Sequence, residues 1–179
     1  MQYQDILHFW FEELEPKQWW IKDDAVDATI RERFLATHTA AANGELTAWR
    51  EAPAGRLAEV IVLDQFSRNL FRGTAKAFAY DAQALALAEE AIANNAYLAL
   101  TTLQCAFLYM PFMHSESPAV HEKAVKLFSE PGMESNLEFE LKHKAIIDRF
   151  GRYPHRNVAL GRESTPEELE FLKQPGSSF

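Results

Sequence analysis

Along most of the chain the apolar residues recur every three to four positions, the period of an α-helix, and short turn signals separate the runs. From Asp5, the residues Ile6, Leu7, Trp10, Phe11 and Leu14 keep that spacing until Pro16 closes the stretch, which predicts a first amphipathic helix. Asp23 or Asp24 can cap a second, with a stripe of Val26, Ile30, Phe34 and Leu35 and a stop at Asn43-Gly44. A third begins near Ala54, after Pro53. Its run Val60-Ile61-Val62-Leu63 is apolar all round, so burial on more than one face is expected. Tyr80 to Asn95 reads as an alanine-rich helix, and Leu98 to Met110 as a nearly all-apolar one that Pro111 ends. Ser117-Pro118 announces a helix carrying Val120, Ala124, Leu127 and Phe128, which Pro131-Gly132 ends. A helix over Glu134 to Phe150 follows and stops at Gly151, and the capping box Thr165-Pro166-Glu167-Glu168 opens the last one. No segment shows the alternation of a strand.

Eight or so helices joined by short turns predict an all-α fold, a compact array of antiparallel helix pairs forming a single helical domain over residues 1–179. Small and large residues in 82–109 loosely match a tetratricopeptide unit, but the full signature with its period of about 34 residues is not present. A chain of 179 residues with 47% hydrophobic and 25% charged residues can bury one sizeable core. The net charge of -8 argues against nucleic acid as a partner, since phosphate neutralisation needs a basic surface. Cys105 is the single cysteine and lies in an apolar run, which fits the core of a protein in a reducing cytoplasm. Neither a signal peptide nor a membrane span is readable, so a soluble protein is expected.

Against this acidic background, Arg68, Arg72, Arg149, Arg152, Arg156 and Arg162, six of the ten arginines, lie in or beside two short segments. These are Asp64-Gln65-Phe66-Ser67-Arg68-Asn69-Leu70-Phe71-Arg72 and Phe150-Gly151-Arg152-Tyr153-Pro154-His155-Arg156-Asn157. Guanidinium groups pair bidentately with carboxylate or phosphate, so the clusters read either as an anion site or as an ion-pair network. On a helix, Asp64, Arg68 and Arg72 share one narrow arc with Asn69 at its edge, and an intrahelical Asp64–Arg68 pair with Arg72 tethering a neighbouring helix end is the simplest structural outcome. After Gly151, a turn held by Pro154 presents Arg152, His155, Arg156 and Asn157. A third region, Met110-Pro111-Phe112-Met113-His114-Ser115-Glu116, offers His114 and Glu116 as an acid and base pair. His114, Glu116 and His143 are the least unsuited metal ligands, yet no metal spacing accompanies them, and neither metal nor cofactor is expected. His143 sits in a stripe with Phe139, Ile146, Ile147 and Phe150 and is expected to be partly buried, whereas His8, His38 and His121 look solvent-facing. Trp10, Trp19, Trp20 and Trp49 read as packing material or as an aromatic groove for a partner.

Together with Phe9-Trp10-Phe11, Trp19-Trp20, Leu160-Gly161-Arg162 and the Thr165 capping box, these motifs span nearly the whole chain, and the sequence resembles the bacterial domain-of-unknown-function family 924. The resemblance implies a fold similar to tetratricopeptide-like helical proteins and implies no activity. From the residues, the leading expectation is that Arg68, Asn69, Arg72, His114, Arg152, His155, Arg156 and Asn157 bind an anionic small molecule or an acidic peptide end. One alternative is a hydrolase or lyase using His114 or His155 with Glu116 or Asp64. The other is a protein-interaction module in which the arginines are purely structural.

Overall fold

Every regular element of the chain is helical, and no strand forms. The structure is a computed structural model and describes residues 1–179. Helix α1, Tyr3–His8, opens on the Asp5 carboxylate, which accepts a hydrogen bond from the Gln2 backbone N–H, and it runs on into a π-helical turn, Phe9–Glu13. Helix α2, Asp24–Ala42, is capped by Asp23, whose carboxylate accepts from the backbone N–H groups of Ala25 and Val26. Its buried stripe is Val26, Ile30, Phe34, Thr37, His38 and Ala41, while Leu35 is exposed. The expectation that His38 faces solvent is therefore wrong. His38 falls four residues after Phe34, on the same face, and its ring lies between Phe71 and Tyr80.

Helix α3, Pro53–Ile61, a second π-helical turn, Val62–Phe66, and helix α4, Ser67–Leu70, follow one another directly. Leu57 to Ser67 are all buried, as the run apolar on every side predicts. Helix α5 is Asp81–Ala93. Helix α6, Thr102–His114, differs from its expected span at both ends. Leu98 belongs to a separate tight turn, Ala96–Ala99, and Thr101 and Gln104 cap the true start reciprocally. Pro111 lies inside the helix rather than ending it. Proline forfeits one backbone hydrogen bond, and the burial of Met110, Phe112 and Met113 around it outweighs that loss. Helices α7, Pro118–Phe128, α8, Glu134–Phe150, α9, Asn157–Leu160, and α10, Pro166–Leu172, complete the chain. Gly151 closes α8 in the left-handed conformation, φ 70°.

The chain divides into two units, Met1–Arg72 with Lys76–Pro111, and Phe112–Phe179 with Gly73–Ala75. In the first, α1 packs on α3, α3 on α5 and α2 on α4. Its core is aromatic: Phe9, Phe34 and Phe66 meet with ring centroids 5.0 to 6.0 Å apart, and Trp10 contacts Phe66 and Phe107. In the second, α7 packs on α8, and Ile146, Ile147 and Tyr153 form a core flanked by Phe150 and Phe171. No helix is long and apolar enough to cross a membrane.

Gly55 shows how closely the first unit is packed. A Cβ there would lie 2.0 Å from the backbone oxygen of Trp49, so the α3 helix and the Thr47–Glu51 turn approach each other through a bare glycine. The same contact brings Arg50 onto the fully buried Glu59, with both guanidinium bonds at 2.8 Å. Gly55→Ala is expected to lower stability by about 3 kcal/mol or more, read as a shift in the denaturation midpoint, because backbone must move to admit the methyl group.

Candidate functional site

The first arginine segment sits where the π-helical turn passes into α4. Asp64 is fully buried, accepts from the Gln65 side chain at 2.8 Å and lies 3.7 Å from Arg68, so the intrahelical pair is present. Arg68 reaches further, however. It donates to both oxygens of Asp81 at 2.8 and 3.1 Å and to the Asp64 carbonyl at 2.8 Å, with its guanidinium over the Phe78 ring. Arg72 holds Asp27 bidentately at 2.8 and 2.9 Å, and Asn69 donates to the same carboxylate at 2.8 Å. The expected tether to a neighbouring helix end is thus present: Asp27 lies in the first turn of α2.

The second segment builds a tightly braced loop in the other unit. Glu116, just beyond α6, accepts the Tyr153 backbone N–H at 2.6 Å and two bonds from Arg162 at 2.9 and 3.0 Å. Burial opposes ionisation of Glu116, but Arg162, the Tyr153 N–H and the charge of Arg156 outweigh it and hold its carboxyl below the ordinary range. Arg162 also donates to the Tyr153 carbonyl at 3.1 Å and the Asn157 side chain at 2.9 Å. Arg152 grips the buried Glu168 at 2.6 and 2.9 Å, and Asn157 adds a bond to Ser164 at 3.0 Å. Arg149 pairs with Glu167 on the surface.

Within this frame Arg156 is buried, its guanidinium lies 4.6 Å from the Tyr153 ring centroid, and it donates to the His114 carbonyl at 2.9 Å. His114 and His155 are half-buried, and the His155 ring lies 5.7 Å from that of Tyr153. His114, Glu116, Arg152, His155, Arg156 and Asn157 therefore belong to one unit, and Asp64, Arg68, Asn69 and Arg72 to the other. No group of three or more His, Cys, Asp or Glu side chains is placed to hold a metal ion.

Two histidines behind the loop are further inside than their polarity suggests. His143 is buried, donates from Nδ1 to the Phe139 carbonyl at 2.7 Å and stacks on Phe179 with centroids 3.7 Å apart. Burial, with the nearby His114, His121 and His155 adding to it against the pull of the Phe139 carbonyl, lowers its pKa to about 3. Phe139, expected on the same stripe, is 49% exposed, because the inward face of α8 runs through Glu140, His143 and Ile147 instead. His121, expected at the surface, is fully buried between Glu140 and Tyr153. Its spacing with Ala124 and Phe128, at i, i+3 and i+7, carried the signal, as did Glu140 against Ile147 on α8. His8 is exposed, as expected.

Residues 6–176 match the family described as bacterial protein of unknown function, the domain-of-unknown-function family 924. The chain belongs to this family. Among solved structures it is similar to a protein of unknown function from Agrobacterium tumefaciens, with a TM-score of 0.91, 41% sequence identity and 96% of each chain covered. Among curated proteins none matches the chain. The family match covers both units, including the braced loop and the Arg68 segment.

Proposed function

We propose that this member of the family binds an anionic small molecule or an acidic peptide end, and that His114, His155 and Arg156 are the groups that meet it. The carrying observation is the frame around Gly151–Asn157: Glu116, Arg162 and the Arg152–Glu168 pair fix this loop from three sides, which holds the half-buried His155 and the buried Arg156 on a rigid support. Arg68, Asn69, Arg72, Arg152 and Asn157 act as supporting groups, through bonds to carboxylates and to side chains of their own segments. Arginine stacked on an aromatic ring keeps its charge and its planar donor fork, which suits a carboxylate or phosphate. We further read the helix pairs as a tetratricopeptide-like scaffold and, from the single buried cysteine, a reducing cytoplasm as the compartment.

Thermal unfolding with a panel of small carboxylates and phosphates tests this. At a concentration 100 times its Kd, a true ligand adds about 2.7 kcal/mol and raises the wild-type midpoint. The shift should vanish in Arg156→Gln and shrink in His155→Ala, the latter being half-buried and the safer variant for folding. A panel that moves nothing, or moves both variants as far as the wild type, removes the anion reading.

A second reading is supported by a different observation, on the first unit. Trp20 is 58% exposed yet stacks on Phe107 at 5.7 Å, Phe107 also meets the rings of Phe11 and Trp19, and Ile21 and Leu103, next to Trp20 and one turn before Phe107 in the chain, are exposed. An aromatic cluster that opens to solvent at Trp20 suits a protein-interaction surface.

A further inference from the structure

The pair His121 and Glu140 lies wholly out of solvent, and its hydrogen bonds fix how many protons it holds. His121 Nε2 is 2.6 Å from the Ser115 carbonyl oxygen, which has no proton to give, so Nε2 carries the hydrogen. His121 Nδ1 is 2.6 Å from Glu140 Oε1. Two lone pairs at that distance would repel, so a second proton lies between them. The Tyr153 hydroxyl donates to the Met113 carbonyl at 2.6 Å, and its oxygen, 3.2 Å from Nε2, can only accept from the imidazole. The pair therefore holds one proton more than a neutral imidazole beside a free carboxylate.

Glu140 Oε2 decides where that proton rests. It is buried and has no hydrogen-bond partner. A bare carboxylate oxygen left without a donor in the interior is costly, whereas the carbonyl oxygen of a neutral carboxyl group is far less so. Burial raises the Glu140 pKa, with His121 and Lys144 pulling the other way. The surroundings add little charge of their own. Lys144 on α8 is itself paired with Glu122 and Asp148, His143 on α8 is neutral, and the loops contribute the Ser115 and Met113 carbonyls and the Tyr153 hydroxyl.

We propose that His121 and Glu140 share a proton that the chain takes up on folding, so that the stability of this unit falls as the pH rises above neutrality. In an unfolded chain a glutamate near 4.3 and a histidine near 6.5 hold no such proton at pH 8. The folded pair does, as Glu140 Oε1–H donating to His121 Nδ1. No group in the pair needs to leave or move for this. Folding above about pH 6.5 simply binds a proton from solvent, and the folding constant falls about tenfold for each pH unit.

Denaturant unfolding of the wild type and Glu140→Gln at pH 6.5, 7.5 and 8.5 tests it. The glutamine amide donates to Nδ1 permanently, so E140Q should lack the tenfold fall per unit that the wild type shows. Parallel pH profiles overturn the proposal. Should E140Q fail to fold, calorimetric unfolding of the wild type at pH 8 in buffers of different ionisation enthalpy decides the matter. Release of about one proton upholds the shared proton, and release of none overturns it.

Discussion

Lowering the pH from 6.5 to 4.5 is expected to remove about 4 to 5 kcal/mol of stability through two buried histidines alone. His38 is 2% exposed, and burial first, then the charge of Lys76, lowers its pKa to about 4. Its Nε2 lies 2.8 Å from the Ser67 hydroxyl, which itself donates to the Leu63 carbonyl, so the imidazole donates there. His143 is held down to about 3 in the other unit. Both folded values lie below the ordinary 6.5, so the unfolded chain binds protons that the native state refuses. Stability from each is therefore present above 6.5 and is lost as the pH falls, until about 4 for His38 and about 3 for His143. The slope is about 1.4 kcal/mol per pH unit for each histidine. Denaturant midpoints of His38→Gln and His143→Gln between pH 6.5 and 4.5 should each be shallower than the wild type by that amount. An unchanged slope in either variant would show that its histidine already titrates in the folded state.

Arg152→Ala is expected to lower the denaturation midpoint clearly at pH 7. The Glu168 side chain is only 3% exposed, and Arg152 satisfies both of its oxygens. The Arg152 guanidinium above all, against burial and with help from the Thr165 N–H and Asn157, brings the Glu168 pKa down to about 2. Glu168 is also the partner in the capping box of α10, so one carboxylate ties the braced loop to the helix that follows it. Removing the guanidinium leaves that carboxylate buried with no counter-charge. Because the pKa is depressed, this stabilisation is present above 4.5 and fades as the pH falls toward 2, so the gap between wild type and variant should close in acid. Arg152→Lys should recover part of the loss, a point charge being unable to bridge both oxygens. If Arg152→Ala is as stable as the wild type, Arg152 returns to the list of groups available to a ligand.

Helix starts and stops were legible because they are local. Asp23, Pro53, Pro118 and the Thr165 box each act within one turn of the chain, and each marks a true helix start. The π-helical turns were not, since widening a helix by one residue leaves no mark in composition. Pro111 misled because a local rule about hydrogen bonds met a non-local gain in burial. His38 and His121 misled through their polarity, although their spacing already set them among apolar neighbours. The arginine clusters were visible in the sequence, but their partners were not: Asp27, Asp81 and Glu168 lie 45, 13 and 16 residues away from Arg72, Arg68 and Arg152. Nothing in a linear pattern ties a guanidinium to a carboxylate at such distances.

All four tryptophans, Trp10, Trp19, Trp20 and Trp49, fall within Met1–Arg72, and the unit that carries the braced loop has none, with Tyr153 as its single tyrosine. Tryptophan emission is thus a private reporter of the first unit, and the second is dark to it. Melting followed by tryptophan emission and by far-ultraviolet dichroism together, without any added label, would distinguish a chain that unfolds in one cooperative step from one whose histidine-rich half lets go on its own.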